Sequence, residues 1–505
     1  MSSAHRFQSL RAAAAALIAP FALAACAGHT PPSPFQDEGR VTPQKIAPRP
    51  DYPGYAAAVA SQDVPWTVES LLDDFMELSF ETEWGTSHRS LLKWPQKARI
   101  KLTGSELGAY RPDLDALLDI VRAGAPPLDL TLVLADEEAI LIPPAPYRAT
   151  ERQIEDQLRL DAVSRPFRPF GERADITIRT APRAEMRAVA DTALCFFAPV
   201  DLTWEGYKEA DARGEVGWED IEQLEAITIF IPEHAAPHVF RICFVEEIMQ
   251  ALGPGNDLYR LEDSGFNDDE VHVAPTAFDL LMLRVLYDPT MRPGMSRLEA
   301  RRAARGVLSR LVGDDVARVA RSRSDADEEF QLYHYFSDVR SDPAERRELL
   351  TLANEAAAKM DQRDHRVGEA LRSEAYFASE RDRSALAVAY ARRAVEHFQR
   401  TLPAGSARLA RTRADLGLFL LLNRDYAEAA EVLASAEPWL AAHGKEDDLA
   451  TSLRLRAIAL AQLGDYDDAA EVARDALDWA AYVFGADSDA LSDWRKQFRD
   501  FDIAV

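Results

Sequence analysis

Glu246, Glu247 and Gln250 are polar residues in an otherwise largely apolar segment, and their spacing could serve chemistry. Glu246 and Gln250 lie four residues apart, so their side chains share one face of a helix and can converge on one point, with Glu247 beside them. Carboxylate and amide oxygens suit hard cations such as Ca²⁺ or Mn²⁺, whereas catalytic zinc favours nitrogen donors. The segment therefore predicts a candidate oxygen-ligand site.

A strand and a helix must position these side chains. Residues 226–231 form an apolar, β-branched run that predicts a buried strand, and a helix over about 239–252 follows it directly. Gly253 and Pro254 end this helix sharply. The apolar residues that recur at helical spacing, and that we expect to face the core, are Ile242, Val245, Met249 and Leu252.

The octet from Glu246 to Gly253 resembles the His-Glu-x-x-His-x-x-Gly helix of zinc peptidases. Glu246 and Gln250 stand at the two metal-binding histidine positions, while Glu247 and Gly253 match the motif. The resemblance implies that Glu247 is the general base if the site is active, and that Glu246 and Gln250 stand where metal ligands would.

The similarity to the metzincin group of these peptidases continues beyond the helix. Asn256 stands at the third-ligand position with Asp257 next to it, Phe266 replaces the methionine of a tight turn, and residues 276–287 fit the final helix, with Asp279 at a capping-box position. The resemblance implies an α/β (α+β) metzincin-like domain with a mixed sheet and an active-site-type helix.

The missing histidines predict a site that has lost its zinc, so we expect no cofactor. Zinc or another divalent metal held by Glu246, Gln250, Asn256 and Asp257 is the alternative. Acidic residues between 262 and 270 lack the spacing of a calcium loop and are typical of a solvated loop. His234, His238 and His272 lie near the site, and we expect them to be surface or capping residues.

The same region resembles an uncharacterised family of bacterial envelope lipoproteins, a domain of unknown function. The resemblance lies in the helix itself, in the pair Asn256-Asp257 and in the segment Leu286-Tyr287-Asp288-Pro289. It implies a fold and no particular activity.

The N-terminus predicts a lipoprotein. Residues 1–25 have a basic start and an apolar core too short to span a bilayer, and the following Cys26 completes a sequence that resembles the bacterial lipoprotein signal. The resemblance implies lipidation of Cys26, a membrane anchor, and a periplasm-facing position at the outer membrane; an ordinary secretory signal is the alternative. Residues 26–62 are Pro-rich and predict an extended tether.

Cys195 and Cys243 are the remaining cysteines. In an oxidising periplasm two such residues are expected to form a disulfide, and two buried free thiols are the alternative. The net charge of −26 disfavours nucleic acid and anionic lipid surfaces as partners.

The C-terminal part, after the predicted metallopeptidase-like domain over 63–305, is rich in Ala and Leu. A helical connector is expected over 306–365, and repeats with a capping helix over 366–505. The recurring triplets are Ala387, Ala391 and Ala394, then Ala429, Leu433 and Ala436, then Ala469, Ala473 and Ala476. This pattern resembles tetratricopeptide repeats, which implies an all-α stack that binds a protein or peptide; an unrelated helical bundle is the alternative.

These features together predict a lipid-anchored periplasmic protein-binding scaffold with a catalytically degenerate peptidase-like domain. An active metal-dependent peptidase with oxygen-rich ligands, and a purely structural envelope lipoprotein, are the two alternatives.

Overall fold

The computed structural model describes residues 67–505, with gaps at 83–86, 105–106, 127, 134–173, 190–193, 219–220, 262–263, 268–271, 313–323 and 339–341. The expected signal peptide, the lipidated Cys26 and the tether lie outside the described residues. So do all five acidic residues between 262 and 270.

The first part of the described chain is an α/β domain. Its elements are α1 (Val68–Phe80), β1 (Lys97–Thr103), a 3₁₀ turn (Leu107–Tyr110), α2 (Arg111–Gly124), β2 (Asp129–Val133), β3 (Ile176–Ala181), α3 (Arg183–Val189), β4 (Phe196–Ala198), α4 (Trp204–Asp211), β5 (Ile227–Pro232), α5 (Pro237–Ala251) and α6 (Ala277–Leu286).

These strands form one five-stranded sheet in the order β2-β1-β3-β5-β4. β1, β2, β3 and β5 run parallel, and β4 pairs antiparallel with β5 at the edge, so the expected mixed sheet is confirmed. Ile100, Ile178 and Ile229 are fully buried on the central strands, as expected for parallel strands that are covered on both faces.

Helix α5 follows β5 directly, and Pro237 occupies its first turn, where a missing N–H costs nothing. The expected core face was partly wrong: Ile242 and Val245 are only half-buried, whereas Phe240 and Phe244 are buried. The helix contacts β4 and β5 on one side and α2 and a C-terminal helix on others. Because apolar residues lie on nearly every side of this helix, their spacing did not show which side faces the core.

A helical region makes up the rest of the chain. Its elements are α7 (Arg297–Val312), α8 (Asp325–Asp338), α9 (Pro343–Ala357), α10 (His365–Glu380), α11 (Ser384–Thr401), α12 (Ala407–Asn423), α13 (Tyr426–Ala442), α14 (Glu446–Leu463), α15 (Tyr466–Phe484) and α16 (Asp489–Asp500). No helix among the described residues has the length and apolar character needed to cross a membrane.

The helical region repeats one local geometry. Asp382, Arg424 and Gly464 each have a left-handed backbone, with φ of +56°, +71° and +92°, at the turn between two packed helices. They are 42 and 40 residues apart, the same intervals that separate the alanine-rich triplets. All nine triplet residues are at most 1% exposed, because small side chains let paired helices approach closely.

The helical region also contacts the α/β domain beside α5. His238, in the first turn of α5, places its Nδ1 atom 3.3 Å from the carbonyl oxygen of Val483 at the end of α15. Arg241 stacks on the ring of Tyr482 at 4.1 Å. His238 is therefore half-buried between two parts of the fold, and its contact with a carbonyl in the last turn of α15 is compatible with the expected capping role.

Candidate functional site

The C-terminal end of α5 is fixed by hydrogen bonds from two distant aromatic residues. Trp94 Nε1 donates to the carbonyl of Ala251 at 3.0 Å, and the hydroxyl of Tyr287 donates to the carbonyl of Leu252 at 2.7 Å. These bonds satisfy acceptors that a helix end leaves without an intrahelical partner. The Leu-Tyr-Asp-Pro segment thus contributes to the site by holding the helix in place.

Gly253 is required where the chain leaves α5. Its φ is +132°, and a Cβ atom there would lie 2.7 Å from the carbonyl oxygen of Leu92 and 2.8 Å from the Leu286 side chain. The glycine that matches the peptidase motif therefore has a structural role in this chain.

Lys93 is a buried residue that sequence reasoning missed. Its Nζ atom donates to the carbonyls of Leu286 at 2.7 Å and Met291 at 3.0 Å, and it lies 4.7 Å from the centre of the Tyr287 ring. Burial lowers the pKa of Lys93 to about 8. The only sequence signal was a lysine placed within the apolar run Leu91-Leu92-Lys93-Trp94.

Glu246 and Glu247 lie beside the disulfide of Cys195 and Cys243. The disulfide is present, as expected, and it ties the residue before β4 to the middle of α5. Ligand atoms of Glu246, Glu247 and Cys195 all lie within 4.8 Å of one another. Since the Cys195 sulfur is bonded to Cys243, it is not available as a thiolate, and two carboxylates remain.

Gln250 and Asp257 form a buried pair. The amide nitrogen of Gln250 donates to a carboxylate oxygen of Asp257 at 2.7 Å, and the two residues are 5% and 4% exposed. This bond joins the last turn of α5 to the segment that follows it. Two of the four expected metal ligands are therefore directed at each other.

Asn256 is directed at another part of the fold. Its side-chain amide donates to the backbone carbonyl of Glu77 in α1 at 3.3 Å, and the residue is 3% exposed. Nearby, Arg260 forms ion pairs of 2.6 Å with both Glu77 and Asp74. The segment after α5 is thus attached to α1, a contact that no sequence motif indicated.

The turn that contains Ser264 and Phe266, which the peptidase resemblance places beneath a metal, is hydrogen-bonded to α6. The Ser264 hydroxyl donates to the Asp279 carboxylate at 2.6 Å, and the amide of Gly265 donates to it at 3.0 Å. Asp279 also completes the expected capping box with Thr276. Burial raises the pKa of the Asp279 carboxyl, although these hydrogen bonds oppose the rise. Phe266, at the methionine position, is buried.

The residues present do not fit a catalytic zinc ion. Glu246 and Glu247 are close together, whereas Gln250 is bonded to Asp257 and Asn256 to α1. A catalytic zinc site uses three protein ligands and usually includes histidine, and none of the four expected ligand positions is a histidine. The geometry supports a rigid polar junction around α5.

Residues 68–306 match a family model described as a protein of unknown function, DUF2927. The match begins at the first residue of α1 and ends within α7, so it covers the α/β domain and the helix that packs on it. No curated protein matches the chain. The match agrees with the expected resemblance to a domain of unknown function and assigns no activity.

Proposed function

We propose that this chain is a lipid-anchored periplasmic scaffold that binds a protein partner through its helical region. In this proposal the α/β domain has the shape of a metzincin-like peptidase but does not perform metal-dependent hydrolysis. The helical region is a tetratricopeptide-like stack. Cys26 carries the lipid that attaches the chain to the envelope. A test of this lipidation requires the full-length precursor.

The hydrogen bond between Gln250 and Asp257 is the observation that carries the proposal. A metal site needs its ligands to direct oxygen or nitrogen lone pairs at one point. The Gln250 amide nitrogen donates to Asp257 and the Asn256 amide nitrogen donates to the backbone of α1, so hydrogen bonds within the core orient both side chains. These residues serve the stability of the junction, which leaves recognition by the helical region as the favoured function.

The helical region supports a binding role by its architecture. Its consecutive helix pairs share one turn geometry at Asp382, Arg424 and Gly464, and stacks of such pairs offer extended surfaces for peptides. The high negative charge of the chain, −26, disfavours nucleic acid as the partner. The partner in this proposal is therefore a protein or peptide.

A metal-dependent hydrolase is the competing function, and one observation favours it. The Glu246 and Glu247 carboxylates lie within 4.8 Å of each other. In that function Glu246 would hold the metal together with Gln250, Asn256 or Asp257, and Glu247 would be the general base for a metal-bound water. A purely structural envelope lipoprotein would need neither a metal nor a partner.

The test compares the full mature chain with its Glu247→Ala variant. Peptidase activity is measured on a mixed peptide substrate, and partner binding is measured by cross-linking in the envelope. The scaffold proposal predicts the same background hydrolysis for both proteins, together with a specific cross-linked partner. Hydrolysis that disappears in Glu247→Ala would refute it, and the absence of any cross-linked partner would favour the structural lipoprotein.

A further inference from the structure

Buried arginines on alternate helices of the helical region are paired with carboxylates. Arg372 of α10 is 4% exposed and forms an ion pair of 2.7 Å with Asp415 of α12. Arg408 of α12 is 2% exposed and forms one of 2.6 Å with Glu369 of α10. A buried guanidinium requires such a partner, because removing its charge from water is costly.

Arg454 of α14 lacks such a pair with the described residues. It is 9% exposed, its guanidinium lies 4.5 Å from the centre of the Trp494 ring, and it has no ion pair or hydrogen bond with a described residue. Its Nε atom is buried. Burial alone lowers the pKa of Arg454, whereas at Arg372 the effect of burial is outweighed by Asp415 and Glu369, which raise the pKa.

Arg372 and Arg454 occupy equivalent positions in the repeated geometry. Each lies ten residues before the left-handed residue that follows its helix, Asp382 for Arg372 and Gly464 for Arg454. The next alternate helix presents Asp415 to Arg372, but it presents Trp494 to Arg454. Arg454 therefore lacks a carboxylate partner equivalent to Asp415, although the chain has 84 acidic residues.

We propose that Arg454 binds a carboxylate group of a partner peptide, which takes the place that Asp415 takes beside Arg372. A guanidinium binds a planar carboxylate through two parallel N–H bonds, and the Trp494 ring lies against the Arg454 guanidinium at 4.5 Å. This inference rests on the proposed scaffold function and names the chemistry of the group that is bound. The carboxylate belongs to a peptide C-terminus or to an acidic side chain.

Three N-acetylated tetrapeptides distinguish these sources. The first is tetraalanine with a free C-terminal carboxylate, the second is tetraalanine with an amidated C-terminus, and the third has an amidated C-terminus and one Glu. Binding to the mature chain is followed by the NMR signal of the Arg454 Nε–H group, which is identified by its loss in Arg454→Lys. We expect a saturable shift with one or both carboxylate peptides and none with the neutral amide. An equal shift with the neutral peptide, or no saturable shift with either acid, would overturn the inference.

Arg456→Gln is the matched control, because Arg456 lies two residues away on α14 and pairs with Glu437 at 2.8 Å. The affinity for the carboxylate peptide that binds the wild type should fall about ten-fold in Arg454→Gln and remain unchanged in Arg456→Gln. Arg454→Lys, which keeps the charge without the planar fork, should bind with intermediate affinity, and circular dichroism checks that each variant is folded. Equal affinity in all folded variants would refute the site. A cross-linked envelope partner that binds Arg454→Gln normally would refute this site alone and leave the scaffold function standing.

Discussion

The side-chain amide of Gln250 donates a hydrogen bond of 2.7 Å to Asp257, seven residues further along the chain. Both residues are nearly fully buried. The bond joins the last turn of α5 to the segment that reaches α1, so residues at two metal-ligand positions of a peptidase-like site connect two parts of the core.

Gln250→Leu should lower the free energy of unfolding by about 1–3 kcal/mol, because the buried Asp257 carboxylate loses a hydrogen-bond donor. Urea denaturation measures the change. Gln399→Leu is the control, because Gln399 is exposed on α11, and it should have little effect. Equal stability of Gln250→Leu and the wild type would show that the pair does not stabilise the junction.

Gly253→Ala should destabilise the protein by at least about 1–3 kcal/mol, because an alanine is strained at φ +132° and its Cβ meets the Leu92 carbonyl. Gly217→Ala provides the comparison. Nothing lies within 4 Å of a Cβ at Gly217, so its effect should stay within about 0.5 kcal/mol. Thermal unfolding of both variants measures the difference, and similar unfolding temperatures would contradict the assigned role of Gly253.

Lys93 should make stability depend on pH. Its pKa in the folded protein is about 8, below the ordinary value of 10.5, so the unfolded chain binds more protons between these pH values. The contribution of Lys93 to the free energy of unfolding therefore rises as pH increases from about 8 to about 10.5, by an amount of order 1–3 kcal/mol.

The measurement for Lys93 is urea unfolding at several pH values in the wild type and in Lys93→Met. Between about pH 8 and pH 10.5, the free energy of unfolding of the wild type should rise relative to that of the variant as pH increases. Lys97→Met removes an exposed lysine of β1 and should leave the wild-type pH dependence intact. A pH-independent difference between the wild type and Lys93→Met would contradict the burial of a charged Lys93.

The disulfide should stabilise the region around α5. Replacing both Cys195 and Cys243 by alanine should lower the free energy of unfolding by about 2–5 kcal/mol. A thiol reductant should lower the unfolding temperature of the wild type and leave that of the double variant unchanged. If the reductant affected both proteins equally, the disulfide would not be the cause.

Local patterns in the sequence predicted much of the fold. The apolar run at 226–231 and the helical segment after it correspond to β5 and α5, and the mixed sheet is present. The Thr276 and Asp279 capping box formed as expected, because capping depends on neighbouring residues. The disulfide was predicted from the cysteine count and from the expected oxidising compartment.

The partners of the site residues could not be predicted in the same way. Asn256 bonds to Glu77, 179 residues away, and Trp94 bonds to Ala251 across 157 residues. No periodicity encodes such contacts. Spacing placed Glu246 and Gln250 on one helix face, but it could not show that the Gln250 amide bonds to Asp257, because side-chain direction depends on what packs against the helix.

We propose that the residues around α5 stabilise a junction and do not hold a catalytic metal. Elemental analysis of the mature chain, purified without chelator and then equilibrated with zinc, calcium and manganese, tests it most directly, with Glu246→Gln/Glu247→Gln as the comparison. We expect far less than one equivalent of any metal after gel filtration, and the same content in the double variant. One equivalent of metal in the wild type that is lost in the double variant would show that these residues hold a metal.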